Sequence, residues 1–288
     1  MAKLNSNDLI KYFEQIKNFD NGKILILDTF STLLRSLKYD NVKLDDNVLE
    51  FIKNIILEEN VFIKVYKGGL LDIYSFNEII QFLLEKFNKE ITSSIAQQII
   101  EFQESLSIFS SGDRYVANMS NIILDIDFNN CWHFYAKLLK EKKVFQFWNI
   151  FDINVVSSVT FNNSFFNNSE RNDLLFAWLL HNKEMAPWII RVAPLFDDEG
   201  DNWFYFTESL INAFGDNEHF INELSANLHS MTTWGSRVPY LKSRLKLVEQ
   251  LKNHKIEKVR IWANEEIENY LKSIKIEEIN DEEEYLGY

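Results

Sequence analysis

Apolar residues recur at helical spacing along most of this chain, and the clearest run lies near its C-terminus. Val259, Trp262, Ala263, Ile267, Tyr270, Leu271 and Ile274 fall on one face of a helix. Arg260, Asn264, Glu265, Glu268 and Lys272 take the remaining surface. The preceding stretch repeats the period with Val238, Leu241, Leu245, Val248 and Leu251. Only Lys252-Asn253-His254-Lys255 separates the two runs, a connection short enough to make them antiparallel neighbours. Ser236 is placed to cap the first helix, and Pro239 sits in its first turn, where a missing N–H costs least.

The same reading predicts helices over Asn5–Asn18, Asn21–Lys38, Leu44–Glu59, Phe76–Phe87 and Ile95–Phe109. Tyr115–Ile126, Cys131–Glu141 and Val144–Asn149 continue in short helical steps. Asp173–His181, Ala186–Phe196, Trp203–Ala213 and Glu218–His229 follow as four compact helices. Two segments read ambiguously. Lys23–Asp28 fits a helix or a buried strand, and Val61–Tyr66, β-branched at period two, fits a short strand or an extended linker. Ser75 with Glu78 three positions on has the form of a capping box. Ile153–Phe166 is apolar at irregular spacing, and small polar residues cluster over Asn162–Glu170. The expected organisation is a helical N-terminal region, 1–165, and a helical-repeat region with an acidic tail, 166–288.

Composition sharpens the fold class. Only 8 Gly and 3 Pro punctuate 288 residues, fewer than a β-sandwich or a doubly wound enzyme uses for its turns. With 46% hydrophobic and 15% aromatic residues, the chain has ample material for a core. The expected fold is therefore all-α, built of stacked helix pairs as in an α-solenoid, with at most a minor strand in the N-terminal half. A net charge of −13 and a pI near 4.9 disfavour non-specific binding to nucleic acid. Cys131 is the sole cysteine, which excludes an intramolecular disulfide or a cysteine zinc cage. The N-terminus leads into an amphipathic helix without an apolar signal core, and no run is long enough to span a bilayer. A soluble, cytoplasmic protein is expected.

Candidate chemistry is sparse. Gly68-Gly69 is followed by Leu70-Leu71-Asp72, so it lacks the Lys-Ser/Thr of a phosphate-binding loop. Ile24–Leu33 has the apolar run, Asp28 and Thr32-Leu33 of haloacid-dehalogenase-type phosphatases, but Phe30 stands where the second aspartate belongs. No two of His133, His181, His219, His229 and His254 share the spacing that puts two metal ligands on one helix face. Asp197-Asp198-Glu199-Gly200-Asp201 has calcium-loop composition, but its glycine is misplaced and Trp203 and Tyr205 occupy ligand positions. An acidic inter-helix loop explains it better. The reading assigns no catalytic residue, metal or cofactor.

Binding residues are easier to nominate. Trp203 and Trp234 lie at loop–helix junctions, where an amphipathic ring can anchor a partner. Arg237, Lys242 and Arg244 head a basic stretch running to Arg260, and Glu282, Glu283 and Glu284 end an acidic tail suited to a basic partner. Asp173-Leu-Leu-Phe-Ala-Trp-Leu-Leu-His-Asn182, Ala186-Pro187, Ala193-Pro194-Leu195, Trp234-Gly-Ser and Val259-Arg-Ile-Trp-Ala give Asp173–Glu284 a further aspect. This part resembles the C-terminal HEAT-like helical repeats of large bacterial multidomain proteins, many of them antiviral-type NTPases or nuclease systems. The resemblance implies a repeat that recognises a trigger or holds a partner, in a defence or toxin-immunity setting. The effector and nucleotide-binding modules of those proteins have no counterpart in the sequence. A non-catalytic scaffold, sensor or inhibitor subunit is thus the leading expectation. Nucleic-acid engagement through Arg237–Arg260 and a degenerate hydrolase around Asp28 are the alternatives.

Overall fold

The computed structural model describes residues 6–40, 44–58, 60–106, 114–151, 164–197, 199–230 and 235–286; the side chains of 37–40, 164 and 284–286 lie outside that description. Among the described residues there are fourteen α-helices and no sheet, so the protein is all-α. The chain divides into two compact units, Met1–Asp152 and Ile153–Tyr288. The division falls upstream of Asn162–Glu170, part of which is built into the second unit. Asn168 caps a helix there, and Asn172 Nδ2 donates to the Phe166 carbonyl at 2.8 Å.

The first unit contains α1 (Ser6–Ile16), α2 (Gly22–Asp40), α3 (Asp46–Ile56), α4 (Val61–Gly68), α5 (Ile73–Phe87), α6 (Lys89–Glu104), α7 (Arg114–Lys140) and α8 (Val144–Ile150). Its main packings are α6 on α7, α2 on α5 and α7 on α8. Both ambiguous segments are helical. In α2, Ile24, Ile26, Leu27, Phe30 and Leu34 are buried while Leu25 and Asp28 face solvent, which is a helix period and not an alternation. In α4 the β-branched residues are overruled by tertiary packing. Val61, Phe62 and Val65 share a buried face, with the Phe62 ring 5.3 Å from Tyr66, 5.1 Å from Phe76 and 6.4 Å from Phe102.

Hydrogen bonding corrects one helix start. The cap of α5 is Asp72, one turn before the position expected from Ser75. Its carboxylate accepts from the Ser75 N–H at 3.0 Å and from the Ser75 hydroxyl at 2.9 Å, which drags the helix start back to Ile73. Arg114–Lys140 is kinked where Asp127 leaves helical geometry, so the two helical steps expected over Tyr115–Ile126 and Cys131–Glu141 meet at that kink, where the Asp127 carboxylate accepts from Asn130 Nδ2 at 2.8 Å. Gly22 is required by space. A Cβ there would overlap the Ile16 carbonyl oxygen at the α1–α2 turn.

The second unit contains α9 (Ser169–His181), α10 (Ala186–Ile190), α11 (Tyr205–Phe214), α12 (Glu218–His229), α13 (Val238–Glu249) and α14 (Glu257–Leu286). The helix expected over Ala186–Phe196 stops at Ile190, because Asn227 Nδ2 donates to the carbonyls of Ile190 and Ala193, both at 2.8 Å, and holds the turn open. The residues that follow form a tight loop closed by a single bridge between Phe196 and Trp203. At the other end, α14 runs unbroken through the segment read as a tail. It packs along α13, and Leu271, expected inside, is 54% exposed. Among the described residues no helix is long and apolar enough to cross a membrane.

Candidate functional site

The basic residues nominated from sequence do not form an open patch. Arg244 is only 2% exposed, and its guanidinium donates to the Ser230 carbonyl at 3.4 Å. Arg237 pairs with Glu277 at 2.9 Å, and Lys242 with Glu278 at 2.7 Å. Ser236 donates to Asp281 at 2.5 Å while accepting from the Val238 N–H, so the expected cap residue also ties α13 to α14. The acidic segment thus neutralises the basic one within the hairpin. Trp203 is 5% exposed, and its Nε1 donates to the Leu247 carbonyl at 2.9 Å, so it holds α13 and offers no ring to a partner. Trp234 lies outside the described residues. Glu282 and Glu283 are exposed on the last turns of α14; Glu284 is in the same helix, but its side chain is outside the description.

Between α12 and α14 lies a polar cluster that sequence reading missed. Trp262 Nε1 donates to Ser225 Oγ at 2.6 Å, and Ser225 Oγ donates to Glu266 Oε1 at 3.1 Å. The second Glu266 oxygen meets His229 Nε2 at 2.9 Å, and the His229 ring stacks on Tyr270, 5.4 Å between centroids. A nucleophilic serine would need its hydroxyl on the imidazole, which takes the proton. Here Ser225 is bonded to the carboxylate, and the order of contacts is that of a lock between helices. The signal was present in the spacing. Ser225 and His229 stand one turn apart, as do Trp262, Glu266 and Tyr270 on the facing helix.

Burial alone would raise the Glu266 carboxyl. The hydrogen bond and charge of His229, with bonds from Ser225 and Trp262, outweigh it and hold the group below its usual range. The folded value therefore lies under the unfolded value of 4.5. The associated stability is complete above that pH and is lost as pH falls through the depressed value. Glu266→Gln should flatten the acid limb of stability between about pH 5 and pH 3, read as urea midpoints for the second unit. Parallel pH profiles for the variant and the wild type would contradict this role.

The outward side of α14 is the larger exposed feature. Glu265, Glu268, Lys272 and Lys275 recur at three- and four-residue intervals, Glu282 follows two turns on with Glu283 beside it, and all are exposed on one side of the helix. Ile261, Ile276 and Ile279 lie on that face, each about half exposed. Lys272 approaches Glu268 at 3.9 Å. Glu265, Glu282 and Glu283 form no ion pair among the described residues. The face therefore carries four carboxylates against two lysines, beside apolar side chains.

The remaining sequence motifs are structural. Asp197 Oδ1 accepts the backbone N–H groups of Gly200 at 2.8 Å, Asp201 at 3.1 Å and Asn202 at 3.3 Å, and Oδ2 accepts Asn202 Nδ2 at 3.0 Å. Its carboxylate builds the turn, with Gly200 at φ +79° completing it. Asp28 sits in the middle of α2, where its carbonyl accepts from Ser31 at 2.9 Å and Thr32 at 3.2 Å. A phosphatase-type nucleophile needs the end of a strand, so the hydrolase reading loses its frame. Among the described residues, no three His, Cys, Asp or Glu side chains converge as a metal site would need. Comparison with known protein families, with curated proteins and with solved structures finds no match.

Proposed function

We propose that this chain is a non-catalytic helical-repeat protein that binds another protein, and that the exposed face of α14 contacts a basic surface on that partner. The observation that carries the reading is the asymmetry of the α13–α14 hairpin. Its most prominent bases, Arg237, Lys242 and Arg244, are paired or buried, while Glu265, Glu282 and Glu283 are exposed beside Ile261, Ile276 and Ile279. Most of the net charge of −13 also belongs to this second unit. Carboxylates in excess of lysines steer a basic partner into contact, and the isoleucines supply area to hold it. A phosphate backbone meets the opposite field. Lys246, Lys252, Lys255 and Lys258 are the exposed cations left in the stretch once offered for nucleic acid.

The HEAT-like resemblance of Asp173–Glu284 suits the same role, with the repeat as a sensor, scaffold or inhibitor subunit in a bacterial defence or toxin-immunity system. Cross-linked capture from source cells, repeated with Glu265, Glu268, Glu282 and Glu283 changed to lysine, is the direct experiment. A basic protein should be recovered by the wild type and lost with the variant. Recovery of the same protein by both, or of nucleic acid by the wild type, would overturn the proposal.

A further inference from the structure

Charges along the outward side of α14 are arranged symmetrically about the level of Tyr270, with opposite signs at mirrored positions. Glu268 stands two residues before that level and Lys272 two after. Glu265 stands five before and Lys275 five after, and Lys258 stands twelve before and Glu282 twelve after. Apolar residues mirror each other too, with Ile261 nine before and Ile279 nine after. At 3.6 residues per turn all eight lie within about 60° of one line along the helix, and all eight are exposed. Tyr270 points the other way and is buried. The stripe is about 36 Å long, on a helix unbroken from Glu257 to Leu286. Among the described residues its one internal ion pair is Lys272 with Glu268, 3.9 Å apart.

Such a pattern is complementary to itself. When a second copy of the helix lies antiparallel across a two-fold axis level with Tyr270, every residue meets its mirror and every contact occurs twice. Glu265 meets Lys275 of the second copy, Glu268 meets Lys272, Lys258 meets Glu282, and Ile261 meets Ile279. At the edge of the stripe Asn264 meets Ile276. Sliding by one heptad destroys the match. One direction sets Glu265 against Glu282 and Lys272 against Lys275, and the other sets Glu265 against Glu268 and Lys258 against Lys275. In-register parallel pairing sets each charge against its own copy. The one like-charge contact in the matched register is Glu257 with Glu283 at the outermost turn, where crossed helices have diverged.

We propose that α14 pairs antiparallel with α14 of a second copy of this chain, making a two-fold homodimer through these mirrored contacts. Exposed ion pairs are individually weak, so the association is reversible, with a Kd on the order of 10–100 µM. Pairing covers the face offered to a basic protein, so the second copy and that protein compete for it. Only this competition rests on the proposed function; the pairing does not.

Sedimentation of the full chain over about 5–500 µM reads the pairing directly. At low salt the mass should rise with concentration from 34.2 kDa toward twice that value, and about 1 M salt should weaken the association. Glu265→Lys sets lysine against Lys275 of the other copy, and Lys275→Glu sets glutamate against Glu265. Each occurs twice by symmetry, so either variant alone should dimerise at least about tenfold more weakly. The double variant has the wild-type net charge and opposite signs at both contacts, so it should recover the dimer. Both residues are exposed, and neither change threatens the fold. A monomer throughout this range, a dimer indifferent to the single variants, or a double variant no better than the singles would overturn the proposal. Capture of a basic protein is a separate readout. A monomer that captures one removes the pairing alone, and a dimer-forming chain that captures none removes the proposed function alone.

Discussion

Trp262→Ala lowers the stability of the second unit by about 3–5 kcal/mol. The ring is 7% exposed on the buried face of α14, beside Val259 and Ala263. Its removal leaves a cavity under the helix and takes away the donor to Ser225, so the lock around Glu266 loses a member. Set against a typical domain stability of about 5–15 kcal/mol, that is a large share. Removing Asn280–Tyr288 should act far more weakly, although that segment is helical as far as Leu286. The described interaction it would lose is the Asp281–Ser236 bond at the surface, and exposed polar pairs contribute about 1 kcal/mol or less. Urea denaturation of both variants gives the comparison. A truncation that unfolds the unit while Trp262→Ala matches the wild type would show that α14 is anchored from its end.

Phe62→Ala destabilises the first unit by about 3–5 kcal/mol. Phe62 is fully enclosed, and its ring is the hub through which α4 meets Phe76 of α5 and Phe102 of α6. Tyr66 stacks on it and lies 4.6 Å from Phe102, so the truncation loosens two helix contacts at once. Phe62→Leu, which keeps most of the apolar volume, should recover over half of the loss. A Phe62→Ala protein with an unchanged urea midpoint would mean that α4 is not packed through this ring.

Where several local signals agreed, the sequence alone located the helices. Glu218–His229, read as a compact helix, has those same bounds in the structure, which adds the cap, Asn217 accepting from the Phe220 N–H at 3.2 Å, and the buried run Phe220, Ile221, Leu224 and Leu228. Val61–Tyr66 misled because β-branched residues carry a strand preference that a half-buried helix overrides. Arg244 shows a different limit. A charged residue reads as surface by type, yet it stands three residues after Leu241 and four before Val248, on the buried stripe itself. Position should have outweighed chemistry there. The pairing of Arg237 and Lys242 with Glu277 and Glu278 spans about forty residues of chain, and no local pattern announces which distant charge a base will meet.

The proposed role of α14 is to present an acidic and apolar face to a basic protein. The most direct measurement is the association rate of the captured partner, purified, with wild type and with the four-lysine variant at low and physiological salt. Steering by carboxylates predicts that the wild-type rate falls about tenfold or more as salt rises, and that the variant starts slow and barely responds. Rates that coincide for the two proteins at both salt concentrations would contradict the account.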